Sequence, residues 1–124
     1  MGTATATITF NLKQEDFDGI IEMAGYGIGY WARSMESERD PDDDSDFPAC
    51  IGCHITDGQD GKKYYITREM MEQAALDLHV KSPLNDYYQS AIKHLVIDGE
   101  SSDVGSDIAD ALVQQACFGE VVYG

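Results

Sequence analysis

The side chains best equipped for chemistry stand together at Cys50-Ile51-Gly52-Cys53-His54, which has the C-x-x-C-H form of covalent haem attachment. Haem of that kind is attached after export, and the N-terminus has no basic flank followed by an apolar signal region. Zinc needs four ligands, and His79, His94 and Cys117 supply no second paired spacing. In a regular strand Cys50 and Cys53 point to opposite faces and cannot share one metal. The expectation is one buried and one half-exposed cysteine in a hairpin, with a metal or haem site at Cys50, Cys53 and His54 as the third-ranked reading.

Other reactive patterns fail on spacing. Asp40, Asp42, Asp44 and Asp46 alternate like the start of a calcium loop, but the sixth and twelfth positions hold Ser45 and Ile51 where glycine and glutamate are required. Gly25, Gly27 and Gly29 do not make a phosphate-cradling G-x-G-x-x-G, and their surroundings are acidic. No histidine or cysteine sits in a nucleophile elbow or dyad motif. The chain thus reads as a non-catalytic protein without a cofactor, and its three cysteines, an odd number, argue against a disulfide framework.

Charge is the more informative property. The sequence holds 23 acidic and 8 basic side chains, a formal net charge of −15 with a pI near 4.2. Such a field repels phosphate backbones and anionic lipid and favours a basic partner. The carboxylates are also patterned. Glu15, Asp18 and Glu22 share one helix face, Asp103, Asp107 and Asp110 share another, and Asp42, Asp43, Asp44 and Asp46 crowd one loop. On a helix rising 1.5 Å per residue these carboxylates are spaced by about 5 to 6 Å, which approximates the repeat of a nucleic-acid backbone in sign and spacing. The ten residues form the candidate partner-binding surface.

The elements that must carry these residues follow from periodicity. Thr3 to Leu12 alternates polar and apolar residues and is a predicted strand. Gln14 to Ser34 is a predicted helix with Phe17, Ile20, Ala24, Ile28 and Trp31 inward; Gly25 and Gly29, one turn apart, let the sheet approach, and Trp31 anchors the core. A strand from Gly25 to Trp31 is the rival reading. Met35 to Pro48 reads as a mobile acidic loop with seven carboxylates and two prolines. Ala49 to Thr56 and Lys62 to Thr67 form a hairpin across Asp57 to Gly61. Three helices follow, capped at Thr67, started by Ser82-Pro83, and started at Ser102 or Asp103, and Phe118 to Gly124 is a closing strand or a packed tail. The result is a single α+β domain over 1–124: a small antiparallel sheet on a glycine-rich first helix and a three-helix C-terminal half.

Gly27-Ile28-Gly29-Tyr30-Trp31-Ala32 and Phe118-Gly119-Glu120-Val121-Val122-Tyr123-Gly124 together resemble a family of small proteins of tailed bacteriophages and prophages. The shared order is a GIGYWA-like helix, a central hairpin and an FGE-VVYG terminus; the acidic loop and the CIGCH segment depart from it. The resemblance brings no catalytic residue with it. It implies a phage protein acting in the host cytoplasm, where small acidic proteins block host defence or nucleic-acid enzymes. The leading expectation is a nucleic-acid mimic that binds a basic host protein. The second is a pocket for a nucleotide-like ligand at Tyr26, Tyr30 and Trp31, which would need Arg33, Lys62, Lys63 and Arg68 gathered beside it.

Overall fold

A computed structural model describes residues 10–81 and 85–124. Its elements are α1 (Gln14–Gly25), β1 (Ala32–Arg39), β2 (Cys50–Asp57), β3 (Lys63–Ile66), α2 (Arg68–Lys81), α3 (Asp86–Asp98) and α4 (Ser106–Phe118). The three strands make one antiparallel sheet in the order β1-β2-β3, with helices packed against it, so the class is α+β.

The first helix is shorter than its apolar spacing predicts. It stops at Gly25, and the chain then turns through Gly27 N–H to Ala24 and Ile28 N–H to Ala24 before entering β1. Three glycines within five residues each cost a helix up to about 1 kcal/mol relative to alanine, and here no packing offsets that loss. Neither a helix to Ser34 nor a strand from Gly25 to Trp31 forms. The expected groove at Gly25 and Gly29 is also absent, since a Cβ at either position meets nothing within 4 Å. The close approach is at Gly27, where a Cβ would lie 2.5 Å from the Ser106 carbonyl oxygen at the start of α4.

The sheet draws its third strand from an unexpected place. Residues 35–39, read as loop from their charge, belong to β1, an edge strand whose side chains are mostly exposed, so burial does not require an alternating pattern. The expected strand at Thr3 to Leu12 lies outside the described residues over 3–9, and Phe10 to Leu12 is not strand. Leu12 is instead pinned to α2, its N–H donating to Glu72 and its carbonyl accepting from Arg68. The hairpin of β2 and β3 forms as its turn residues predict.

The remaining starts follow local chemistry. Thr67 Oγ1 accepts the Met70 N–H, and Asn85 caps α3 through the Tyr88 N–H; the Ser82-Pro83 start lies outside the described residues. Gly99 ends α3 at φ 69°, a left-handed turn suited to glycine. The last helix begins at Ser106 rather than at Ser102 or Asp103. Residues 108–115 of α4 are all buried, so this helix is enclosed by α1, α2, α3 and β3 and forms the centre of the domain. After Phe118 the chain runs on as a packed tail and not as a strand.

Gly27→Ala is expected to destabilise by about 1 to 3 kcal/mol, because backbone must move to admit the methyl group. Gly29→Ala should be neutral or stabilising by up to about 1 kcal/mol through loss of unfolded-state freedom. Urea denaturation of the two variants checks the contrast.

Candidate functional site

Two polar side chains inside the apolar α4 create the most connected site in the molecule. Asp110 is 8% exposed and Gln114 fully buried. Four residues apart, they lie on one face, and Gln114 Nε2 donates to Asp110 Oδ1 at 2.9 Å. The Asp110 carboxylate also accepts from Trp31 Nε1 at 2.7 Å and from the Tyr30 hydroxyl at 2.6 Å. A buried carboxylate is tolerated only when its lone pairs are filled, and here three donors fill them.

The Gln114 amide faces the C-terminal tail with its other atoms. Its Oε1 accepts the N–H groups of Val122 and Tyr123 at 2.8 and 2.7 Å, while Nε2 also lies 3.2 Å from the Tyr123 carbonyl. The tail therefore meets a side chain where a neighbouring strand would otherwise be needed. Its aromatic rings close the contact. Tyr123 stacks on Trp31 at 5.5 Å and 9°, and Phe118 meets Trp31 edge-on at 5.3 Å. The Tyr123 hydroxyl reaches the β2–β3 turn, 3.0 Å from Asp57 and 2.8 Å from Gln59. The GIGYWA and FGEVVYG stretches thus touch each other through α4.

A cavity of about 450 Å³ opens beside this network, lined by residues 29–33, by Gly58 and Gln59 and by Tyr123. Tyr30 and Trp31 are part of it, as the second expectation required, but Tyr26 is 78% exposed and does not line it. Of the expected cations only Arg33 is present. Arg68 is turned to Leu12, Glu69 and Glu72 on α2.

The ten candidate surface carboxylates divide into three groups. Asp18 and Glu22 on α1 meet Asp46 of the β1–β2 connection around a cleft of about 300 Å³ with Arg39, Phe47 and Pro48; Glu15 is exposed on the preceding turn. Asp18 is also structural, accepting the Cys50 N–H and a Gln14 amide hydrogen. In the connection Asp43 accepts the Ser45 and Ala49 N–H groups; the Ser45 side chain first, then these backbone groups, hold its carboxyl below the usual carboxylate range, and Asp42 and Asp44 are exposed. Asp103 and Asp107 are exposed near Tyr87, with Asp103 bonded to His94 at 2.6 Å. Asp110 does not share their surface: it is the buried centre described above.

The cysteine expectation is corrected by a bulge. Pairing passes from Glu38 with Gly52 to Arg39 with Cys50, so Ile51 is the extra residue and Cys50 turns to the same inner face as Cys53. Both thiols are buried, and Cys50 Sγ lies 3.1 Å from the Gly52 carbonyl. Burial, with Cys50 beside it, pushes the Cys53 thiol up to about 11, and burial, with Cys53 nearby, pushes Cys117 up to about 12. His54 points outward instead, to Glu38 at 3.2 Å and against Tyr65. His54 therefore does not join Cys50 and Cys53 in one ligand set, and among the described residues no cluster of three or more His, Cys, Asp or Glu has metal-binding geometry.

No protein family, curated protein or solved structure matches the chain. Sequence reasoning overlooked Asp57, Gln59, Gln114 and Tyr123 as site residues. The available signal was Asp110 and Gln114 recurring at i and i+4 on a helix face otherwise composed of core residues.

Gln114→Leu should keep the apolar volume but leave two tail N–H groups without an acceptor, costing about 1 to 3 kcal/mol, and Trp31→Ala should cost about 3 to 5 kcal/mol. Urea midpoints measure both. Alkali provides a separate test. Burial and the Asp110 hydrogen bond push Tyr30 up to about 12 from an ordinary value of 10. A raised folded pKa means stability that is complete below the unfolded value and lost as pH rises through the folded one. Stability should therefore hold to about one pH unit below the ordinary thiol value of 9.0, where the unfolded thiols begin to ionise, and fall up to about pH 12. Thermal melts across that range check the sign.

Proposed function

We propose that the protein is a non-catalytic acidic binding protein that occupies a basic, nucleic-acid-binding surface of a partner protein. The observation that carries this reading is the cleft where Asp18 and Glu22 meet Asp46 beside a Phe47 ring that is 90% exposed. Two stretches distant in sequence place carboxylates around one depression, and the exposed aromatic ring provides an apolar anchor among them. Interfaces derive much of their affinity from such anchors and much of their on-rate from complementary charge.

The net charge of −15 supports the same reading, because it steers basic surfaces toward the molecule and keeps phosphate backbones away. In the phage setting that the GIGYWA and FGEVVYG resemblance implies, the partner is a host nucleic-acid enzyme or defence component, such as a restriction or CRISPR protein. The site of action is then the host cytoplasm. Among the described residues no helix is long and apolar enough to cross a membrane.

The test is capture of partners from bacterial lysate at low and raised salt, with duplex DNA added as a competitor. A basic partner released by both salt and DNA is expected, and Glu22→Lys with Asp46→Lys should weaken its capture about tenfold or more without loss of fold. Asp18 is left intact because it anchors the start of β2. A partner retained in high salt, or bound equally well by the charge-reversed protein, contradicts the reading.

A further inference from the structure

The outward face of α1 carries a residue that nothing inside the domain calls for. Gly19 lies at the middle of this 12-residue helix, where glycine is less favourable than any residue except proline. At Gly27 a neighbouring backbone leaves no room for a side chain, but a Cβ at Gly19 meets nothing within 4 Å. The helix buries Phe17, Ile20, Ile21 and Ala24, and Gly19 falls on the opposite side with Glu15, Glu22 and Tyr26. The open space therefore lies outside the domain.

The groups around Gly19 are those of a docking surface. Tyr26 is 78% exposed at the end of the face, and Phe47, which shares a cleft with Asp18 and Glu22, is 90% exposed. They are the two most exposed aromatic side chains among the described residues. The carboxylates beside them are not neutralised from within, since among the described residues Glu15, Asp18, Glu22 and Asp46 make no ion pair within 4 Å. Arg39 is the one cation that lines the cleft, and it donates to the Pro48 carbonyl instead. The charge of this face is left for counterions or for a basic partner.

We infer that this face receives a basic α-helix of the partner, laid across Gly19 with its cations on Glu15 and Glu22 and its apolar side chains on Tyr26 and Phe47; the inference rests on the acidic docking function proposed above and specifies the element that docks. Spacing distinguishes a helix from a strand. Glu15 and Glu22 lie two turns apart, about 10.5 Å along the axis, which is the repeat at which another helix presents side chains on one face. Same-face steps of a strand give about 6.6 or 13 Å, and neither matches. Glycine at the crossing sets the approach. The separation of packed helices depends on the side chains between them, so a bare backbone at Gly19 brings the partner near enough for the flanking carboxylates to meet its cations. A basic helix is also the element with which many DNA-binding proteins enter the major groove, so the occupant agrees with a nucleic-acid-binding partner.

The probes are two synthetic alanine-rich helical peptides of identical composition, one with its arginines on a single face and one with them spread around the helix. Each is titrated into the ¹⁵N-labelled protein at about 0.15 M salt, where long-range attraction is screened, and into Gly19→Gln. The single-face peptide is expected to bind about tenfold more tightly than the other, with saturable amide shifts along α1 and around Phe47. Glutamine is a good helix former and the position is open, so Gly19→Gln should melt no lower than the native protein while losing about tenfold in affinity for the single-face peptide. The comparison of the two peptides needs only the native protein. Equal affinity for both, undiminished binding by Gly19→Gln, shifts that map away from α1, or absence of saturable binding would each overturn the inference. Equal affinity that is abolished by Glu22→Lys with Asp46→Lys would overturn the helix while leaving the acidic docking function standing.

Discussion

The hydrogen bonds of Gln114 hold together parts of the chain that are distant in sequence. Its amide accepts two N–H groups of the tail and donates toward Asp110, and Asp110 in turn holds Tyr30 and Trp31. Both side chains lie in the helix that is most deeply enclosed, where an unpaired amide or carboxylate would cost several kcal/mol. That cost makes the arrangement specific. The tail must lie where it can fill Gln114, and the turn after α1 must present the Trp31 indole to Asp110. No buried side-chain nitrogen or oxygen among the described residues is left without a partner. The stack of Tyr123 on Trp31 and the reach of its hydroxyl to Asp57 then tie the helical half to the sheet.

This network separates two kinds of charge. Acidic side chains occupy the helix faces and the β1–β2 connection, where water solvates them and their summed field extends outward. Inside, the Asp110 carboxylate is held by three uncharged donors, Tyr30, Trp31 and Gln114. The acidic cleft at Asp18, Glu22 and Asp46 and the cavity at Arg33 are lined by different residues.

Much of the fold could be read from local chemistry. The Asp57 to Gly61 turn, the Thr67 cap and the Gly99 stop are all determined within a few residues. What could not be read depends on distant contacts. Apolar spacing carries a helix through Trp31, but the glycines end it at Gly25 because packing offers them nothing in return. Met35 to Arg39 has loop composition yet forms part of an edge strand by pairing with β2. The bulge at Ile51 reverses Cys50 without any turn residue to announce it. At the site, Trp31 and the two motif stretches stood out in sequence, but Asp110 was grouped with surface acids because its spacing matched Asp103 and Asp107. Only burial separates it from them.

The dependence of the structure on this buried network is tested most directly by hydrogen exchange at the Trp31 indole nitrogen. That N–H is hydrogen-bonded to a carboxylate that is 8% exposed, and it reports on the junction of turn, helix and tail. Exchange limited by global unfolding, with the same free energy as the slowest backbone amides of α4, is expected. Exchange at the rate of a free indole while α4 amides remain protected would show that the junction opens independently, contradicting its role as the constraint on which the fold depends.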